Sequence, residues 1–416
     1  MNKFIFFSMN DFKKEGGGTI RMLGILNELA SQGKEVIFIS NAENKKLFHR
    51  DIEHISVGRV FNSNDKRKFQ LLLSLMPAKI VNNAFKSFLD MLKNKFDNEA
   101  NLNSIYFFEY LDNSIGYWLK ANGVINGYIN DIHGVATLEF SFQAKYAERI
   151  WEKIIFKFKT YISSMLDSKV FNNADGLIFA SKSMQDYFYG IYPKLKKRNN
   201  IILPYVLNET HLPDPDLVLQ RRIKTEHKIL ENEKVFLFAG AFKKTGGVPD
   251  LISAFHLLMP RLKNIKLLII GDGPTYKECE DLIEKNNSKD KVVLLGRKPY
   301  HELTTYQSIA DVLICPDRQN VYSQMIIHVK YLDALASGKL VINGSFDSVM
   351  EINENDKLSL SFTPSDVKSL ANVMEGSIND HANLVEKYRG TRKYTLENLT
   401  YKSCIFNIID QLNPEK

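Results

Sequence analysis

The sequence predicts an α/β protein with two Rossmann-like domains, each built on a doubly wound parallel sheet. Its 416 residues exceed the size at which one hydrophobic core usually keeps growing. The N-terminal residues read strand, helix, strand, which is typical of a parallel sheet. From Lys234 onward the same alternation returns with a regular period. We place the domains at 1–205 and 206–390, followed by a C-terminal helix at 391–416.

The first βαβ unit begins with an apolar strand at residues 4–8. Three glycines, Gly16, Gly17 and Gly18, follow as a turn, and Thr19 is a suitable cap for the next helix. That helix carries isoleucine and leucine at helical spacing and ends at a glycine, the residue favoured just after a helix. A second strand at 36–40 completes the unit.

The rest of the first domain alternates long helical segments with short strands. The helical segments lie at 64–98 and 141–170, and the strands at 104–108, 124–130, 175–180 and 200–203. Within the second segment, residues 145–161 mix apolar and basic side chains at helical spacing. They fit a helix packed in the core or a helix lying on a membrane surface. We expect core packing, because Glu148 and Glu152 interrupt the basic face.

The second domain follows a polar, proline-containing linker at 208–216. Its predicted strands lie at 235–240, 266–270, 292–295, 311–315 and 339–343, and its helices at 249–258, 275–286, 300–309 and 328–337. The sequence Asp214-Pro215-Asp216 matches the Asp-x-Asp pattern of metal-dependent transferases. We interpret it as linker composition, because it does not end a buried strand, and we expect no metal site.

Charge is distributed unevenly along the chain. The net charge is +7; residues 1–200 hold 28 Lys+Arg against 20 Asp+Glu (+8), which leaves 27 against 28 (−1) for the remainder. A basic first half fits an anionic partner, such as a phospholipid surface or a lipid diphosphate, or simply a solvated lysine-rich surface. An apolar content of 44% excludes a disordered chain.

Cysteine usage and the N-terminus indicate a cytoplasmic location. The three cysteines, Cys279, Cys315 and Cys404, are odd in number and far apart, which fits neither a disulfide framework nor a metal-binding spacing. The N-terminal apolar run is too short for a secretion signal, and no run reaches the length of about 20 apolar residues that spans a bilayer.

A candidate catalytic pair follows the strand predicted at 124–130. Asp131 and His133 lie at the carboxyl edge of the first sheet, where such sheets place their sites. Histidine is suited to proton transfer near neutral pH, and Asp131, two residues back on the same face of the strand, could orient it. A structural histidine is the alternative.

Glycines at strand ends mark the second candidate site. Gly240, Gly271 and Gly273 follow predicted strands, as Gly17 and Gly18 do in the first domain. At such positions an open α/β sheet brings its backbone and helix N-termini close to a phosphorylated ligand. A tight turn that requires positive φ is the alternative.

The runs "LLIIGDGP", "VVLLGR" with "ADVLICP", and "KYLDALASGKLVI" resemble the donor-nucleotide domain of family 4-like glycosyltransferases of the GT-B fold. The resemblance extends upstream to 238–255, 172–188 and 15–40, and it is weak over 41–170. It implies two domains facing a cleft, with the C-terminal helix crossing back to the first. It also implies sugar transfer from a nucleoside diphosphate sugar, with retention and without a metal or cofactor.

The resemblance also assigns donor-binding residues. Lys330 and Asp333 match a lysine and an acid of the family motif, so Asp333 should bind the ribose hydroxyls, whereas Met325 replaces the family's first acid. The alternative is an i,i+3 surface ion pair. The backbone near Arg297 should contact the base; the alternative for the Arg297 side chain is exposure to solvent.

The family's two diphosphate-binding cations are missing from their usual places. Ala241 and Gly246 stand where an arginine and a lysine are expected. Lys243 and Lys244 could reach the same phosphates from the adjoining loop, or they could be ordinary exposed lysines.

The function expected is therefore a cytoplasmic glycosyltransferase, working in the cytoplasm or at the inner face of the membrane, in surface polysaccharide or glycolipid synthesis. Its partners would be a nucleotide sugar, a glycan or lipid-linked acceptor and a membrane surface, with no nucleic acid. A catalytically degenerate subunit that binds a nucleotide or a partner is an alternative, motivated by Ala241, Gly246 and Met325. A nucleotide-sugar epimerase is another.

Overall fold

A computed structural model describes residues 3–10, 12, 17–42, 47–96, 104–208 and 213–405. The chain divides into two compact units: Met1–Tyr205 with the segment from Cys404 onward, and Val206–Ser403. Residues 391–403 group with the second unit. The last part of the predicted crossover segment, 406–416, lies outside the described residues, so the crossover stays a prediction.

Over its described residues, the first unit contains a seven-stranded parallel sheet of order β3-β2-β1-β4-β5-β6-β7. The strands are β1 Lys3–Ser8, β2 Val36–Ser40, β3 Glu53–Ser56, β4 Ser104–Glu109, β5 Ile129–Ile132, β6 Gly176–Phe179 and β7 Asn199–Ile202. Phe6 of β1 pairs with Phe38 on one side and Phe107 on the other. The order reverses between β1 and β4, and such reversals are where open sheets place their ligands.

The helices of the first unit connect these strands, and most pack an apolar face on the sheet. They are Gly17–Ser31, Ser63–Leu75, Ala78–Ala84, Lys86–Lys95, Asn113–Ala121, Ala136–Tyr146, Ile150–Asn173 and Lys182–Ile191. Helix Gly17–Ser31 buries Met22, Leu26 and Leu29. The predicted helix at 64–98 is interrupted at Pro77, which serves as the cap of helix Ala78–Ala84.

Two predictions for this unit were wrong. The strand predicted at 124–130 begins only at Ile129, so Asp131 lies inside β5 rather than after it. The core packing expected for residues 145–161 is also contradicted. Ile150 is 80% exposed and Phe158 is 50% exposed, so this part of helix Ile150–Asn173 turns large apolar side chains to solvent.

The second unit, as far as it is described, contains a six-stranded parallel sheet of order β10-β9-β8-β11-β12-β13. The strands are β8 Lys234–Ala239, β9 Ile265–Ile270, β10 Val292–Gly296, β11 Val312–Cys315, β12 Leu340–Gly344 and β13 Leu360–Phe362. The helices are Leu217–Glu226, Val248–Leu258, Tyr276–Lys285, Leu303–Ile309, Val329–Ala336, Asp347–Met350, Val367–Asn379, His381–Lys387 and Thr391–Asn398. Its order reverses between β8 and β11.

Both units therefore have the predicted α/β class with parallel sheets. The core of the second unit is formed by the apolar strands and the inward faces of the helices, with Phe236, Phe255 and Leu267 fully buried. Among the helices that the structure describes, none combines the length and apolar character needed to cross a bilayer.

Candidate functional site

A buried polar cluster surrounds His133 at the carboxyl edge of the first sheet. His133 follows the end of β5, and its Nε2 lies 2.8 Å from Oε1 of Glu109, the last residue of β4. Its Nδ1 lies 3.0 Å from the hydroxyl of Tyr205. The side chains of His133 and Glu109 are 11% and 2% exposed. Contacts from two directions therefore fix the orientation of the imidazole.

Glu109 and His133 favour each other's charged form. Burial raises the pKa of Glu109, but the hydrogen bond and charge of His133, together with Lys66, bring that pKa below its ordinary value. Burial lowers the pKa of His133, but the hydrogen bond and charge of Glu109, and the charge of Asp131, raise it above its ordinary value. An imidazolium donates from both ring nitrogens, here to Glu109 and Tyr205.

Asp131 does not orient His133, and this prediction was wrong. Its carboxylate accepts hydrogen bonds from Arg21, whose Nε lies 2.9 and 3.1 Å and whose Nη2 lies 2.7 Å from the Asp131 oxygens. Arg21 also donates to the carbonyl of Pro204 at 3.0 Å. Both charged side chains are almost fully buried. The guanidinium takes both oxygens in a bidentate pair, so Glu109 supplies the orienting carboxylate instead.

The N-terminal glycines make room for this cluster. A Cβ at Gly18 would lie 2.9 Å from Cε1 of His133 and 3.4 Å from Oε1 of Glu109, and one at Gly17 would lie 3.5 Å from the Tyr205 hydroxyl. Gly18 is therefore required where the imidazole approaches the first turn of helix Gly17–Ser31. Gly16 lies outside the described residues, and the contact of Gly17 and Gly18 with a donor stays a prediction.

In the second unit, glycines let two loops cross at the carboxyl ends of β8 and β9. Gly271 has φ +138° and Gly273 has φ +150°. A Cβ at Gly271 would lie 1.9 Å from the carbonyl oxygen of Gly240. Only glycine fits this crossing. Phe242, beyond Gly240, donates its N–H to the Asp272 carbonyl at 2.9 Å, which ties the loops together.

The loop that carries Lys243 and Lys244 packs against Pro316 and Arg318, which follow β11. Gly247 has φ +64°, and a Cβ there would lie 1.7 Å from the carbonyl oxygen of Pro316. Arg318 donates to both carboxylate oxygens of Asp250, at 2.7 and 2.6 Å, and its N–H donates to the loop at Thr245. The two lysines themselves are exposed.

Cationic side chains surround Asp317, two residues after the end of β11. Lys330 Nζ lies 2.7 Å from Oδ1 of Asp317 and 5.3 Å from the ring centre of Phe238. Within the described residues, the buried Oδ2 of Asp317 has no hydrogen-bond partner. Burial raises the pKa of Asp317, but Lys330, His328 and Lys243 bring it below its ordinary value. Lys243 therefore lies close enough to act on this group.

Asp333 is buried one helical turn after Lys330 and does not pair with it. Its side chain accepts a hydrogen bond from the Tyr300 hydroxyl at 3.0 Å. Burial raises the pKa of Asp333 to about 6, against the lowering effect of that hydrogen bond. Asp333, Lys330 and Cys315 line a small cavity of about 40 Å³. The alternative of an i,i+3 surface ion pair between Lys330 and Asp333 is thereby excluded.

Three further positions that the sequence analysis considered are Arg297, Met325 and Asp216. Arg297 is exposed after Gly296, whose carbonyl accepts from the N–H of Gly271 at 3.0 Å. Met325 is buried in an apolar position. Asp216 caps helix Leu217–Glu226 by accepting from the N–H groups of its first turn. Among the described residues, no group of three or more acids, histidines and cysteines is arranged to hold a metal.

Sequence reasoning missed Arg21, Glu109 and Tyr205 in the first unit and Asp317 and His328 in the second. Glu109 and Asp317 could have been found, because each is a charged residue at the end of a buried apolar strand. Arg21 and Tyr205 give no comparable signal.

Comparison with known proteins finds a family match within the second unit. Residues 220–395 match the sequence profile of the family described as glycosyl transferases group 1. An uncharacterised glycosyltransferase of Methanocaldococcus jannaschii is 26% identical over 205 residues, which is 47% of this chain and 55% of that protein. The alpha-monoglucosyldiacylglycerol synthase of Streptococcus pneumoniae is 22% identical over 173 residues, 41% of this chain and 37% of that protein. The chain spans about half the length of the curated relatives it matches.

The fold is shared with solved glycosyltransferase structures over nearly the whole chain. The Anabaena protein HepE in complex with UDP superposes with a TM-score of 0.70 at 12% identity, covering 99% of each chain. At this identity the likeness concerns the fold alone. The second unit therefore resembles the group 1 glycosyl transferases in sequence over residues 220–395, and both Rossmann-like units share the parallel-sheet fold of their GT-B structural neighbours.

Proposed function

We propose that the protein transfers a sugar from a nucleoside diphosphate sugar to a hydroxyl acceptor in polysaccharide or glycolipid synthesis. The observation that carries the proposal is the carboxyl edge of the second sheet. There, the loops crossing at Gly240 and Gly271, the lysines Lys243 and Lys330, and the buried Asp333 lie within the region that matches the family. HepE, which shares this fold, has been solved with UDP bound.

In the second unit, each polar group has a distinct proposed task. Asp333, held by Tyr300, accepts hydrogen bonds from the ribose hydroxyls. Lys330 uses one of its three donors on Asp317 and keeps the others for the diphosphate. Lys243 and Lys244 add charge from the loop as the diphosphate leaves, replacing the cations absent at Ala241 and Gly246. The close backbone approach that Gly271 and Gly273 allow, and the backbone next to Arg297, complete donor binding.

In the first unit, His133 acts on the chemical step. Because Glu109 favours the imidazolium, His133 is proposed to stabilise negative charge rather than to act as a base in its resting state. Both ring nitrogens are engaged, by Glu109 and Tyr205, so donation of a proton to a substrate would require the contact with Tyr205 to open. Gly17 and Gly18 place the first amides of their helix beside it. Asp131 supports this task by holding Arg21 and by its charge, not by a hydrogen bond to His133.

The proposed partners are a nucleotide sugar and a glycan or lipid-linked acceptor, with no nucleic acid. The alpha-monoglucosyldiacylglycerol synthase among the relatives has a lipid product by its name, which favours a lipid-linked acceptor and contact with the inner face of the membrane. The reaction is proposed to proceed with retention and without a metal.

The experiment is incubation of the protein with a panel of nucleotide sugars, with and without lipid-linked and free glycan acceptors. Transfer, or slow hydrolysis of the donor, supports the proposal. Binding without turnover identifies a non-catalytic subunit, and a free epimeric sugar identifies an epimerase.

A His133→Ala variant tests the division of tasks between the units. We expect turnover to fall by about a hundredfold or more, the usual contribution of a positioned proton-transfer group. Nucleoside diphosphate affinity, measured by calorimetry, should be unchanged. A collapse of that affinity in a folded variant would place His133 in donor binding instead.

A further inference from the structure

We propose that the exposed apolar face of helix Ile150–Asn173 docks the protein onto an anionic phospholipid surface. We call this face the docking face; it consists of Ile150, Trp151, Ile154, Ile155, Phe158 and Tyr161. The proposal deepens the membrane contact named with the proposed function, and it is tested without any transfer reaction.

The docking face is continuous and strongly exposed. Ile150 is 80% exposed, Ile154 62%, Tyr161 58%, Trp151 54% and Phe158 50%. Positions 151, 154, 155 and 158 have the i, i+3, i+4, i+7 spacing that places side chains along one side of a helix. Single exposed apolar residues are normal on a protein surface, but a contiguous patch of this kind marks an interaction site.

Basic residues border the docking face. Residues 145–161 contain five Lys+Arg against two Asp+Glu. Lys153 and Lys157 are four residues apart in the helix, so they follow one edge of the face. Arg149, which precedes the helix, has its guanidinium carbon 5.9 Å from the ring centre of Trp151. Lys159 lies along the other edge, with its Nζ 5.1 Å from the ring centre of Phe156. Of the two acids that led us to expect core packing, Glu148 precedes the helix and Glu152 lies on the side of Lys159, seven residues before it.

This combination selects a lipid surface rather than a second copy of the chain. A two-fold dimer would place the same face against itself and bring the basic edges towards one another. Anionic headgroups neutralise those edges, and the long lysine side chains can extend beside the apolar residues to reach them. Trp151 and Tyr161 suit the boundary between acyl chains and water, because each joins an apolar ring to a polar group.

The docking face is also close to His133 along the chain. Helix Ala136–Tyr146 starts three residues after His133, and helix Ile150–Asn173 follows it in the same unit. Lys159 links the two helices: it belongs to helix Ile150–Asn173, and its Nζ lies 5.5 Å from the ring centre of Phe140 in helix Ala136–Tyr146. Membrane binding through helix Ile150–Asn173 would hold the unit that carries the His133 cluster at the surface where lipid-linked acceptors lie.

The test is co-sedimentation of the whole protein with vesicles, either of phosphatidylcholine alone or of an equimolar mixture with phosphatidylglycerol. The protein should sediment with the mixed vesicles and less with the neutral ones. The variant Trp151→Ser/Ile154→Ser/Phe158→Ser should lower binding to the mixed vesicles by about tenfold or more. Lys153→Glu/Lys157→Glu should lower it comparably, and high salt should weaken the wild type.

Matched controls change exposed residues elsewhere. Leu217→Ser/Val218→Ser removes two apolar side chains that are 63% and 78% exposed, and Lys277→Glu/Lys393→Glu reverses two exposed lysines. Both controls should bind vesicles like the wild type. All variants should keep the wild-type circular dichroism spectrum and nucleoside diphosphate affinity, which separates a failure here from a failure of the proposed function.

Three outcomes would overturn the proposal. The wild type could fail to bind mixed vesicles, or the triple serine variant could bind them as the wild type does. Alternatively, light scattering could show a wild-type dimer that the triple variant converts to a monomer, without vesicle binding. That last result would make the docking face an interface between two copies of the chain.

Discussion

Replacing Glu109 should expose how strongly the first unit depends on the pair with His133. Glu109→Gln removes the charge but keeps a side chain that can hydrogen-bond to a neutral imidazole, whereas Glu109→Ala removes both. The pair is 2.8 Å long, and its side chains are 2% and 11% exposed, so solvent screens it little. A hydrogen bond to a charged group contributes about 1.5–3 kcal/mol, which we expect Glu109→Gln to lose. Glu109→Ala should cost about 3–5 kcal/mol, because it leaves His133 without its carboxylate.

The loss should depend on pH with a definite sign. The folded-state pKa of Glu109 is lowered from 4.5, so its stabilising effect is present above about 4.5 and is lost as the pH falls. The folded-state pKa of His133 is raised above 6.5, so its stabilising effect is complete below 6.5 and is lost as the pH rises through the folded-state value. The difference in unfolding free energy between wild type and Glu109→Gln should therefore be largest at about pH 4.5–6.5.

Denaturant unfolding across this pH range measures the difference, and NMR titration of the His133 ring should show its pKa falling in Glu109→Gln. Glu53→Gln is the matched control. Glu53 also lies 2.8 Å from its partner Lys95, but their side chains are 52% and 44% exposed, so the loss should be about 0–1 kcal/mol. A Glu109→Gln difference that is independent of pH, or no larger than that of Glu53→Gln, would refute the buried ion pair.

Asp333→Asn should weaken nucleoside diphosphate binding, measured by calorimetry, by about 1.5–3 kcal/mol. It should also stabilise the fold above pH 6 by about 1–3 kcal/mol, because it removes a buried carboxylate whose pKa is raised to about 6. Unchanged affinity would contradict the assignment of Asp333 to the ribose. Lys243→Ala/Lys244→Ala should reduce turnover by about tenfold or more in a steady-state assay. The melting temperature should change little, because both lysines are exposed. Normal turnover would indicate that Lys330 and backbone amides are sufficient to bind the diphosphate. Gly18→Ala should reduce turnover and stability by displacing His133. The control is Gly190→Ala, where the added methyl group has no neighbour within 4 Å; it lies within a helix and should be neutral or slightly stabilising. An active, stable Gly18→Ala protein would show that the imidazole tolerates the shift.

The second sheet could be predicted closely, because its strands are apolar, evenly spaced and separated by glycine turns. All five strands predicted in that domain exist, with ends that differ by a residue or so. β3 and β13 were missed for a physical reason. β3, Glu53–Ser56, is an edge strand with polar, partly exposed side chains, and β13, Leu360–Phe362, is only three residues long. Neither carries the continuous apolar pattern that marks a buried parallel strand.

The partners of buried charges could not be predicted, because they are set by tertiary proximity. Asp131 and His133 are two residues apart in sequence, yet Asp131 pairs with Arg21, 110 residues away. His133 pairs with Glu109 on the neighbouring strand. Strand alternation correctly places Asp131 and His133 at one sheet edge, but a bidentate guanidinium is the stronger competitor for a carboxylate and decides which acid remains for the histidine.

The charge at each sheet edge then indicates where an anionic donor would bind. At the edge of the first sheet, three buried acids each face a cation: Asp131 faces Arg21, Glu109 faces His133, and Asp112 faces Lys66 at 2.6 Å. That edge is neutralised by its own side chains. Around Asp317 in the second unit, one acid faces both Lys330 and the charge of Lys243, and the loop also carries Lys244. A diphosphate can therefore gain cationic contacts at the second edge without breaking an existing pair, whereas at the first it would compete with carboxylates already in place.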